Sequence, residues 1–397
     1  MSLNNTPAAN RLHIVLFGKR NSGKSSLINA LTGQDTALVS DIPGTTTDAV
    51  SKAMEIQHIG PCLFIDTPGF DDEGELGEMR ITRTLKAIER TDIALLLCED
   101  GNCEDEKQWM EQLNKRNIPV ILILNKADIR KDIASTRDRI EKECGQNPLI
   151  ISAKEQTGIE KILQAILEKL PADFGQQTIT GDLVKEGDLV LLVMPQDIQA
   201  PKGRLILPQV QTMRELLDKK CLVMSVTTDQ YLSALENLAV PPKLIITDSQ
   251  VFSYVYENKP KESMLTSFSV LFAAYKGDLP YYIEGTKAID TLNENSHVLI
   301  AECCTHAPLK EDIGRVKIPR MLKKRFGEKL DVSLVSGTDF PDDLTKYDLI
   351  IQCGACMFNR KYVMYRIDKA RNQYVPMTNY GITIAHLTGI LEHVALP

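Results

Sequence analysis

The sequence predicts an α/β protein in which a larger first domain is followed by two smaller α/β domains, all with mainly parallel sheets. Two observations support this prediction. Short apolar runs typical of buried strands alternate along the chain with longer segments of helical periodicity. The first apolar run, residues 12–17, leads through a glycine-rich turn into the first helical segment. A chain of 397 residues is long enough to give each domain its own core.

The glycine-rich turn carries the first chemical motif. Gly18, Gly23, Lys24 and Ser25 give the spacing G-x-x-x-x-G-K-S between a strand and a helix. Backbone N–H groups of such a loop surround a β-phosphate, the lysine neutralises the β- and γ-phosphate oxygens, and the serine hydroxyl is a ligand for Mg²⁺. The sequence therefore predicts a P-loop nucleotide site directly after the first strand.

Three further motifs follow in the order expected for a guanine-nucleotide domain. In DTPG, the Asp66 carboxylate suits a water-mediated contact to Mg²⁺ and the Gly69 N–H suits the γ-phosphate. In NKAD, the Asp128 carboxylate can accept hydrogen bonds from two guanine donors that adenine lacks, which favours GTP over ATP. In SAK, residues 152–154 form a loop that backs the base. The predicted nucleotide-binding residues are Gly18, Asn21, Ser22, Gly23, Lys24, Ser25, Ser26, Asp66, Gly69, Asn125, Lys126, Asp128, Ser152, Ala153 and Lys154.

The polar loop VSDIPGTTTDAV completes a resemblance to the Era and MnmE branch of translation-factor-like GTPases, whose loop has the pattern G-T-T-x-D. The resemblance implies that Thr46 joins Ser25 and Asp66 around Mg²⁺. It also implies that Asn21 coordinates K⁺, with help from the backbone of residues 40–42. The alternative for Asn21 is an ordinary turn residue.

Phe70 follows DTPG at the position where many small GTPases carry a glutamine that orients the attacking water. A phenyl ring cannot orient water, so we expect slow hydrolysis that depends on a monovalent cation, a mobile residue or a partner. Lys24, Thr46 and Gly69 are the expected catalytic residues. The fold prediction is therefore a P-loop GTPase domain followed by two smaller α/β domains.

The predicted boundaries follow changes in composition. Residues 1–10 lack the basic start and the apolar core of a signal peptide and predict a disordered tail. The GTPase domain takes residues 11–173 and ends with an amphipathic helix closed by Pro171. After a linker, a middle domain is predicted over residues 178–262 and a last domain over residues 263–397, with the break at ENKPKESM.

Two cysteine motifs follow strand-like runs of the last domain. Cys304 and His306 lie in CTH, and Cys353 and Cys356 lie in CGAC. Carboxyl ends of parallel strands meet at one sheet edge, so we expect these motifs to meet there. Three thiolates with an optional imidazole fit a 4Fe-4S cluster with an open iron, and a Cys₃His zinc site fits about equally well. A C-x-x-C redox pair and buried structural thiols are the remaining alternatives.

The combination of an Era-like G domain with C-x-H and then C-x-x-C resembles the FeFe-hydrogenase maturation GTPases, the HydF family, over the whole chain. The segment CTHAPLKEDIGRVKIPRML is especially similar. The resemblance implies that residues 178–262 are a dimerisation domain and that residues 263–397 bind a 4Fe-4S cluster. Its ligands would be the three thiolates named above, with His306 as candidate fourth ligand. Many members have histidine directly before C-x-x-C, where this chain has Gln352, so the fourth ligand stays open.

The resemblance implies a GTPase scaffold that uses GTP, Mg²⁺, K⁺ and a 4Fe-4S cluster. It would receive a di-iron precursor from radical-SAM maturases and deliver it to apo FeFe-hydrogenase as a homodimer. A net charge of −7 and the lack of a long apolar run predict no nucleic-acid partner, no membrane partner and a cytoplasmic location. The alternative is an Era-type GTPase associated with the ribosome or tRNA, with a zinc-binding C-terminal domain. The acidic charge and the lack of a basic, KH-like domain weigh against it.

Overall fold

The computed structural model describes residues 6–33, 51–69, 84–99, 103–171, 174–175, 177–195, 205–303 and 312–397. The chain divides into two compact units, Met1–Phe174 and Gly175–Pro397. Each unit has its own sheets and hydrophobic cores. Within the described ranges, no helix combines the length and the apolar character that crossing a bilayer requires.

The first unit is built on a six-stranded sheet. Its strands are β1 Leu12–Gly18, β2 Ser51–Ile56, β3 Gly60–Asp66, β4 Ile93–Cys98, β5 Val120–Leu124 and β6 Leu149–Ile150. Its helices are α1 Lys24–Thr32, α2 Glu104–Asn114, α3 Ile133–Cys144 and α4 Ile159–Glu168. The strand order is β2-β3-β1-β4-β5-β6, with β2 antiparallel to β3 and the other neighbouring pairs parallel.

The central strand β1 illustrates why this sheet is covered on both faces. All seven of its residues are buried. Leu12, Ile14 and Leu16 pack into one core, while Val15 and Phe17 pack into the core on the opposite face. Successive side chains of a strand point to opposite faces, so a continuous apolar run can fill both cores at once. The P-loop therefore starts at the carboxyl end of a strand held rigidly from both sides.

The second unit contains two four-stranded sheets. The strands of the first are β7 Leu189–Val193, β8 Leu222–Val226, β9 Leu244–Thr247 and β10 Met264–Ser267, and its helices are α5 Leu207–Asp218, α6 Tyr231–Glu236, α7 Phe252–Asn258 and α8 Phe268–Lys276. The strands of the second are β11 His297–Ala301, β12 Asp331–Val335, β13 Leu349–Gln352 and β14 Met377–Asn379. The accompanying helices are α9 Leu279–Gly285, α10 Ile318–Phe326, α11 Arg360–Asn372 and α12 Tyr380–Leu387, with a π-helix at Ile313–Lys317. Short 3₁₀ helices occur at Ala8–Asn10, Thr228–Gln230, Ser249–Val251, Thr286–Thr291 and Leu391–His393.

Both sheets of the second unit are parallel and share one strand order. The first is β8-β7-β9-β10 and the second is β12-β11-β13-β14. In each, the chain winds first to one side of the starting strand and then to the other. Ligands of open parallel sheets bind at the carboxyl ends of the two strands where this direction reverses. In the second sheet these strands are β11 and β13, which lead into the two cysteine motifs. The predicted fold class, α/β with mainly parallel sheets, is confirmed.

Strands β10 and β14 were not predicted from the sequence. These strands have only four and three residues, and each runs directly into a helix. Their last residues are helix N-caps: the Ser267 hydroxyl accepts a hydrogen bond from Val270 N, and the Asn379 amide oxygen accepts one from Gly381 N. Since β10 pairs with β9, the strand after the predicted boundary at residues 262 and 263 belongs to the same sheet as the middle domain.

The end of the predicted disordered tail, residues 1–10, is ordered. Ala8–Asn10 form a 3₁₀ helix, and Ala9 is buried. The Ala8 carbonyl accepts a hydrogen bond from His13 Nε2 at 2.9 Å, so the start of β1 holds this turn in place. Residues 1–5 lie outside the described part of the chain.

The two sheets of the second unit share a hydrophobic core. Leu191 of β7 belongs to the same buried cluster as Leu299 of β11 and Ile350 of β13. The C-terminal segment returns to the first of the two sheets, where Ala395 N donates a hydrogen bond of 2.8 Å to Leu265 O. The second unit is therefore one packed body that contains two sheets.

Candidate nucleotide and cluster sites

Two glycines give the P-loop its backbone path. Gly18 has φ +154° and Gly23 has φ +92°, a conformation that residues with a Cβ rarely adopt. A Cβ on Gly23 would lie 2.2 Å from Asn125 Nδ2. The amine of Lys24 donates to Gly18 O and Lys19 O, each at 2.9 Å, which holds the lysine across the mouth of the loop. The loop is thus shaped so that backbone N–H groups and one ammonium face the space where phosphates bind.

Ser25 and Asp66 lie together beside the P-loop. Ser25 Oγ donates a hydrogen bond of 2.6 Å to Asp66 Oδ2. The second carboxylate oxygen, Asp66 Oδ1, is buried without a hydrogen-bond partner. Burial raises the pKa of Asp66, while the hydrogen bond from Ser25 and the charge of Lys24 oppose that rise. A hard cation with oxygen ligands would satisfy the open carboxylate oxygen, so these residues fit Mg²⁺.

Asn125 and Ser152 organise the base-binding loops. Asn125 Nδ2 donates to Ser22 O at 3.0 Å, and its Oδ1 accepts from Ala153 N at 3.1 Å. One amide thus joins the P-loop to the loop that backs the base. Ser152 Oγ donates to Asp128 Oδ1 at 2.7 Å, which lowers the pKa of Asp128 and keeps it charged. A charged, exposed Asp128 is what guanine recognition requires.

The other predicted nucleotide residues fall into three groups. Asn21 and Ser26 are exposed on the P-loop and α1, and Asn21 has φ +62°. Lys126 also has positive φ, +63°, and forms an ion pair of 2.8 Å with Glu99, a residue that the sequence analysis did not single out. Gly69 is half-buried, and Lys154 is exposed. Thr46 and residues 40–42 lie outside the described residues, so their predicted roles stay predictions.

Replacing Asp128 with Asn should lower the affinity for GTP about 100-fold to 1,000-fold, because a charged acceptor of two guanine donors is lost, at about 3–4 kcal/mol. Xanthosine triphosphate, which presents an oxygen in place of the exocyclic amine, should bind the variant better than the original protein. Fluorescence titration with both nucleotides measures the switch. Asp132→Asn, at the N-cap of α3, is the matched control and should leave both affinities unchanged. An unchanged preference for GTP in Asp128→Asn would contradict the assignment.

Cys303 and Cys353 lie side by side at the carboxyl ends of β11 and β13. Cys353 N donates to Ala301 O at 3.1 Å, which continues the β11–β13 pairing. Cys353 Sγ accepts hydrogen bonds from Cys303 N at 3.1 Å and from Ala355 N at 3.4 Å. Cys356 is half-buried in the same loop. Two N–H donors directed at one sulfur favour a thiolate, the form that ligates iron or zinc.

The loop around Cys356 is anchored by a lysine that the sequence analysis did not identify. Lys276, at the end of α8, is only 2% exposed. Its amine donates to Ala355 O at 3.1 Å, Cys356 O at 3.3 Å and Phe358 O at 2.8 Å. A buried ammonium therefore fixes the backbone of the loop and adds positive charge next to the cysteines. A lysine that ends an otherwise apolar helical segment gave no signal of this role.

The other cysteine motif, CTH, directly follows a segment that an ion pair holds in place. Glu302 is buried, and its Oε2 accepts hydrogen bonds from Arg315 Nε at 3.0 Å and Nη2 at 2.8 Å. This ion pair joins the two chain ends that flank residues 304–311. Cys304 and His306 fall within that range and lie outside the described residues, so their predicted roles as ligands stay predictions.

Gln352 directly precedes the CGAC motif, and its side-chain amide is engaged away from the cysteines. It is fully buried, and Gln352 Nε2 donates to the Tyr282 hydroxyl at 3.2 Å. Its Oε1 is buried without a hydrogen-bond partner. An amide is a poor ligand for iron, so the fourth ligand stays open.

In the described part of the chain, no three His, Cys, Asp or Glu side chains are gathered closely enough to hold a metal ion. The described residues supply two of the three predicted thiolates, Cys353 and Cys356. Thiolates are soft donors, and the backbone N–H groups aimed at Cys353 match the surroundings of a sulfur that carries negative charge. The donor set therefore fits an iron-sulfur cluster, and it would fit zinc as well.

Two protein-family models match the residues that form the two sheets of the second unit. Residues 179–277 match the hydrogen maturase F dimerization domain, and residues 280–397 match the hydrogen maturase F tetramerization domain. Residues 13–126 match the model described as 50S ribosome-binding GTPase. The chain belongs to the hydrogen maturase F family. Its first unit is a P-loop GTPase domain, as predicted.

Individual relatives of this hydrogen maturase F protein match its GTPase domain. The tRNA modification GTPase MnmE of Nitrosomonas europaea is 37% identical over 160 residues, 40% of this chain and 34% of that protein. GTPase Der of Desulfitobacterium hafniense is 32% identical over 170 residues, 39% of this chain and 38% of that protein. The match thus spans little more than a third of these relatives. A crystal structure of Aquifex aeolicus Era has TM-score 0.36 and 20% identity, covering 54% of this chain and 92% of that one.

Proposed function

We propose that this protein is a GTPase scaffold for FeFe-hydrogenase maturation. Cys304, Cys353 and Cys356 hold a 4Fe-4S cluster, and His306 is an exchangeable fourth ligand. The protein receives a di-iron precursor from radical-SAM maturases and delivers it to apo-hydrogenase, and GTP hydrolysis gates its contacts with these partners. A site with three thiolates and one exchangeable position suits a carrier, because a complete cage of four cysteines would resist ligand exchange.

One observation carries this proposal: Cys353 Sγ receives two backbone N–H groups in the crevice where β11 and β13 diverge. A buried structural thiol needs no such donors. The hydrogen maturase F domains and the GTPase domain in one chain support the same function. They favour it over an Era-type GTPase with a zinc-binding tail, because the tetramerization-domain match includes the residues that such a tail would occupy.

Anaerobic purification followed by metal and sulfide analysis tests this function. Iron with a similar amount of acid-labile sulfide supports the proposal. Zinc as the only metal supports the Era-type alternative, and neither metal supports a redox pair. The purified protein should then activate apo-hydrogenase when both radical-SAM maturases are supplied. A protein that holds a full cluster but does not activate apo-hydrogenase would contradict the carrier role and leave the cluster site in place.

For the nucleotide site, we propose that Ser25, Thr46 and Asp66 hold Mg²⁺ and that Asn21 helps to hold K⁺. Mg²⁺ would neutralise charge on the phosphates during transfer to water. Lys24 orients and neutralises the β- and γ-phosphate oxygens, and Gly69 donates its N–H to the γ-phosphate. The exposed position of Asn21 on the P-loop supports its role toward a second cation.

GTP hydrolysis should be several-fold faster in K⁺ than in Na⁺, because the larger ion suits a site made of one amide oxygen and backbone carbonyls. Phosphate release measured in matched chloride salts gives the ratio. Asn21→Ala should reduce the rate in K⁺ to the rate in Na⁺, while Asn117→Ala, another residue of positive φ in the same domain, should not. Equal rates in both salts for the original protein, with Asn21→Ala harmless, would rule out the potassium site.

We propose that the protein is a homodimer and that the dimer pairs through the outer edge of β8. Among the described strands, none pairs with that edge, and Leu222 is 62% exposed on it. Leu222 N donates to Asp188 O, and Met194 N donates to Val226 O. Residues 222, 224 and 226 therefore direct their backbone groups at β7, and Ser225 directs its N–H outward. An unpaired, partly apolar edge is a template for a second copy.

Ser225→Pro should weaken the dimer about 5-fold to 150-fold, because a symmetric interface loses two hydrogen bonds at about 0.5–1.5 kcal/mol each. The pairing with β7 should survive, since the N–H that is lost faces outward. Ser225→Ala keeps the N–H and is the matched control. Sedimentation equilibrium of the full chain measures both. A dimer of unchanged affinity in Ser225→Pro would exclude this edge as the interface.

A further inference from the structure

Arg366, on α11, is a fully buried cation that the proposed function does not explain. Its exposed fraction is 0%. Within the described ranges, no carboxylate lies at ion-pair distance from its guanidinium, although ion pairs with Asp or Glu occur elsewhere on this helix for Lys369 and Arg371. Its Nε is buried without a hydrogen-bond partner. Burying a guanidinium without a counter-charge is strongly unfavourable, so an anionic group is expected close by.

The contacts that surround Arg366 are two aromatic rings, a backbone carbonyl and the Cys303 sulfur, and burial raises the pKa of the Cys303 thiol. The guanidinium carbon lies 4.8 Å from the ring centre of Phe340 and 4.9 Å from that of Tyr362. Nη2 donates to Gly337 O at 2.5 Å. Nη1 donates to Cys303 Sγ at 3.3 Å. Aromatic faces and a carbonyl partly offset desolvation but leave the full positive charge uncompensated. The contact to sulfur points toward the cysteine site.

A short chain of hydrogen bonds joins Arg366 to a predicted cluster ligand. Arg366 donates to Cys303 Sγ, and Cys303 N donates to Cys353 Sγ at 3.1 Å. Lys276 brings a second buried ammonium to the same loop, where it contacts the carbonyl of Cys356. One buried cation thus contacts Cys303, whose N–H donates to Cys353 Sγ, and a second contacts the carbonyl of Cys356. Three thiolates around a 4Fe-4S core leave a net negative charge, and one-electron reduction adds another.

We propose that Arg366 is the electrostatic positioning residue of the cysteine site. Its charge compensates the anionic group held by Cys353 and Cys356, stabilises the reduced form of that group, and fixes Cys303 behind it. This inference rests on the proposed function, since it needs an anionic cluster at the cysteines. It also predicts that the buried charge of Arg366 destabilises the folded protein when the cluster is absent.

The test compares Arg366→Met with Arg371→Met. The second variant removes the same charge from the exposed side of the same helix, where Arg371 pairs with Asp278. Each protein is reconstituted anaerobically with iron and sulfide, and the midpoint potential is measured by redox titration with electron paramagnetic resonance. Arg366→Met should disfavour the reduced cluster about tenfold, a shift of about 59 mV to more negative potential for one electron. Arg371→Met should shift the potential far less.

Melting temperatures separate this role from a merely structural one. In the cluster-free protein, Arg366→Met should melt at the same or a higher temperature than the original, because a buried, uncompensated charge is gone. In the reconstituted protein it should melt at a lower temperature. Arg366→Lys keeps the charge, so its midpoint potential should stay close to that of the original protein. Arg366→Gln removes the charge and should behave like Arg366→Met. Equal destabilisation with and without cluster, or failure of both uncharged variants to fold, would overturn the proposal.

The outcomes also distinguish this inference from the proposed function. An original protein that takes up no iron and sulfide contradicts the proposed function, and the inference falls with it. A normal cluster in the original protein whose potential is unchanged in Arg366→Met contradicts only the role of Arg366. A shifted potential in that variant together with a normal potential in Arg371→Met supports both.

Discussion

Replacing Cys353 with Ala is expected to remove the cluster and to leave GTP hydrolysis intact. Two backbone N–H groups donate to the Cys353 sulfur, which favours its thiolate form as a cluster ligand. Loss of a residue that hydrogen-bonds to a metal ligand typically lowers the metal affinity about 10-fold to 100-fold. Loss of a ligand itself should therefore lower the affinity more than about 100-fold. Hydrolysis should survive because the GTPase domain is a separate compact unit with its own core.

Iron, sulfide and visible absorption after anaerobic reconstitution measure the cluster, and phosphate release measures hydrolysis in the same preparation. Cys304→Ala and Cys356→Ala should lose the cluster as well. Cys221→Ala is the matched control, because Cys221 is buried in a core of the first sheet of the second unit and should affect neither readout. Full hydrogenase maturation by Cys353→Ala protein would exclude the three-thiolate site.

Replacing Lys24 with Ala should nearly abolish nucleotide binding. The ammonium is buried at the mouth of the P-loop, held by Gly18 O and Lys19 O. It is therefore positioned before nucleotide arrives, and its two expected contacts to phosphate oxygens are charge-assisted hydrogen bonds. At about 1.5–3 kcal/mol each, their loss corresponds to about 100-fold to 10,000-fold in affinity.

Titration with a fluorescent GDP analogue measures this loss. Lys131→Ala removes an exposed lysine of the same domain and should bind nucleotide normally. The cluster of Lys24→Ala protein should form as usual, which separates this variant from Cys353→Ala. Nucleotide affinity within threefold of the original would argue against a P-loop role for Lys24.

The GTPase site was predictable because its motifs are contiguous and each carries its own chemistry. The spacing of Gly18, Gly23 and Lys24 determines a backbone path, and the structure has that path. Asn125 was predicted only as a nucleotide-binding residue of the NKAD motif. Its role in joining Ser22 O to Ala153 N depends on three distant segments meeting, which spacing along the chain does not show.

The position of Cys353 at the end of β13 was predictable, whereas the charges that surround it were not. Strand ends place Cys353 at a sheet edge, and the structure brings Cys303 beside it. Arg366 and Lys276 were missed because sequence patterns treat lysine and arginine as surface residues. One signal did exist for Arg366: the buried residues of α11 are Tyr362, Val363, Arg366, Ile367 and Ala370, so a charge occupies a core position of that helix.

The shared core of the second unit has a consequence for how the chain unfolds. Leu191, Leu299 and Ile350 are buried in one cluster, and Ala395 near the C-terminus hydrogen-bonds to Leu265 of β10 in the first sheet. Neither sheet can lose its packing without exposing apolar surface of the other. Denaturant should therefore melt residues 175–397 in a single cooperative transition, distinct from that of the GTPase domain. A fragment that stops after residue 277 would lack the residues that the second sheet adds to this cluster, Leu299 and Ile350 among them, and the C-terminal segment that hydrogen-bonds to β10.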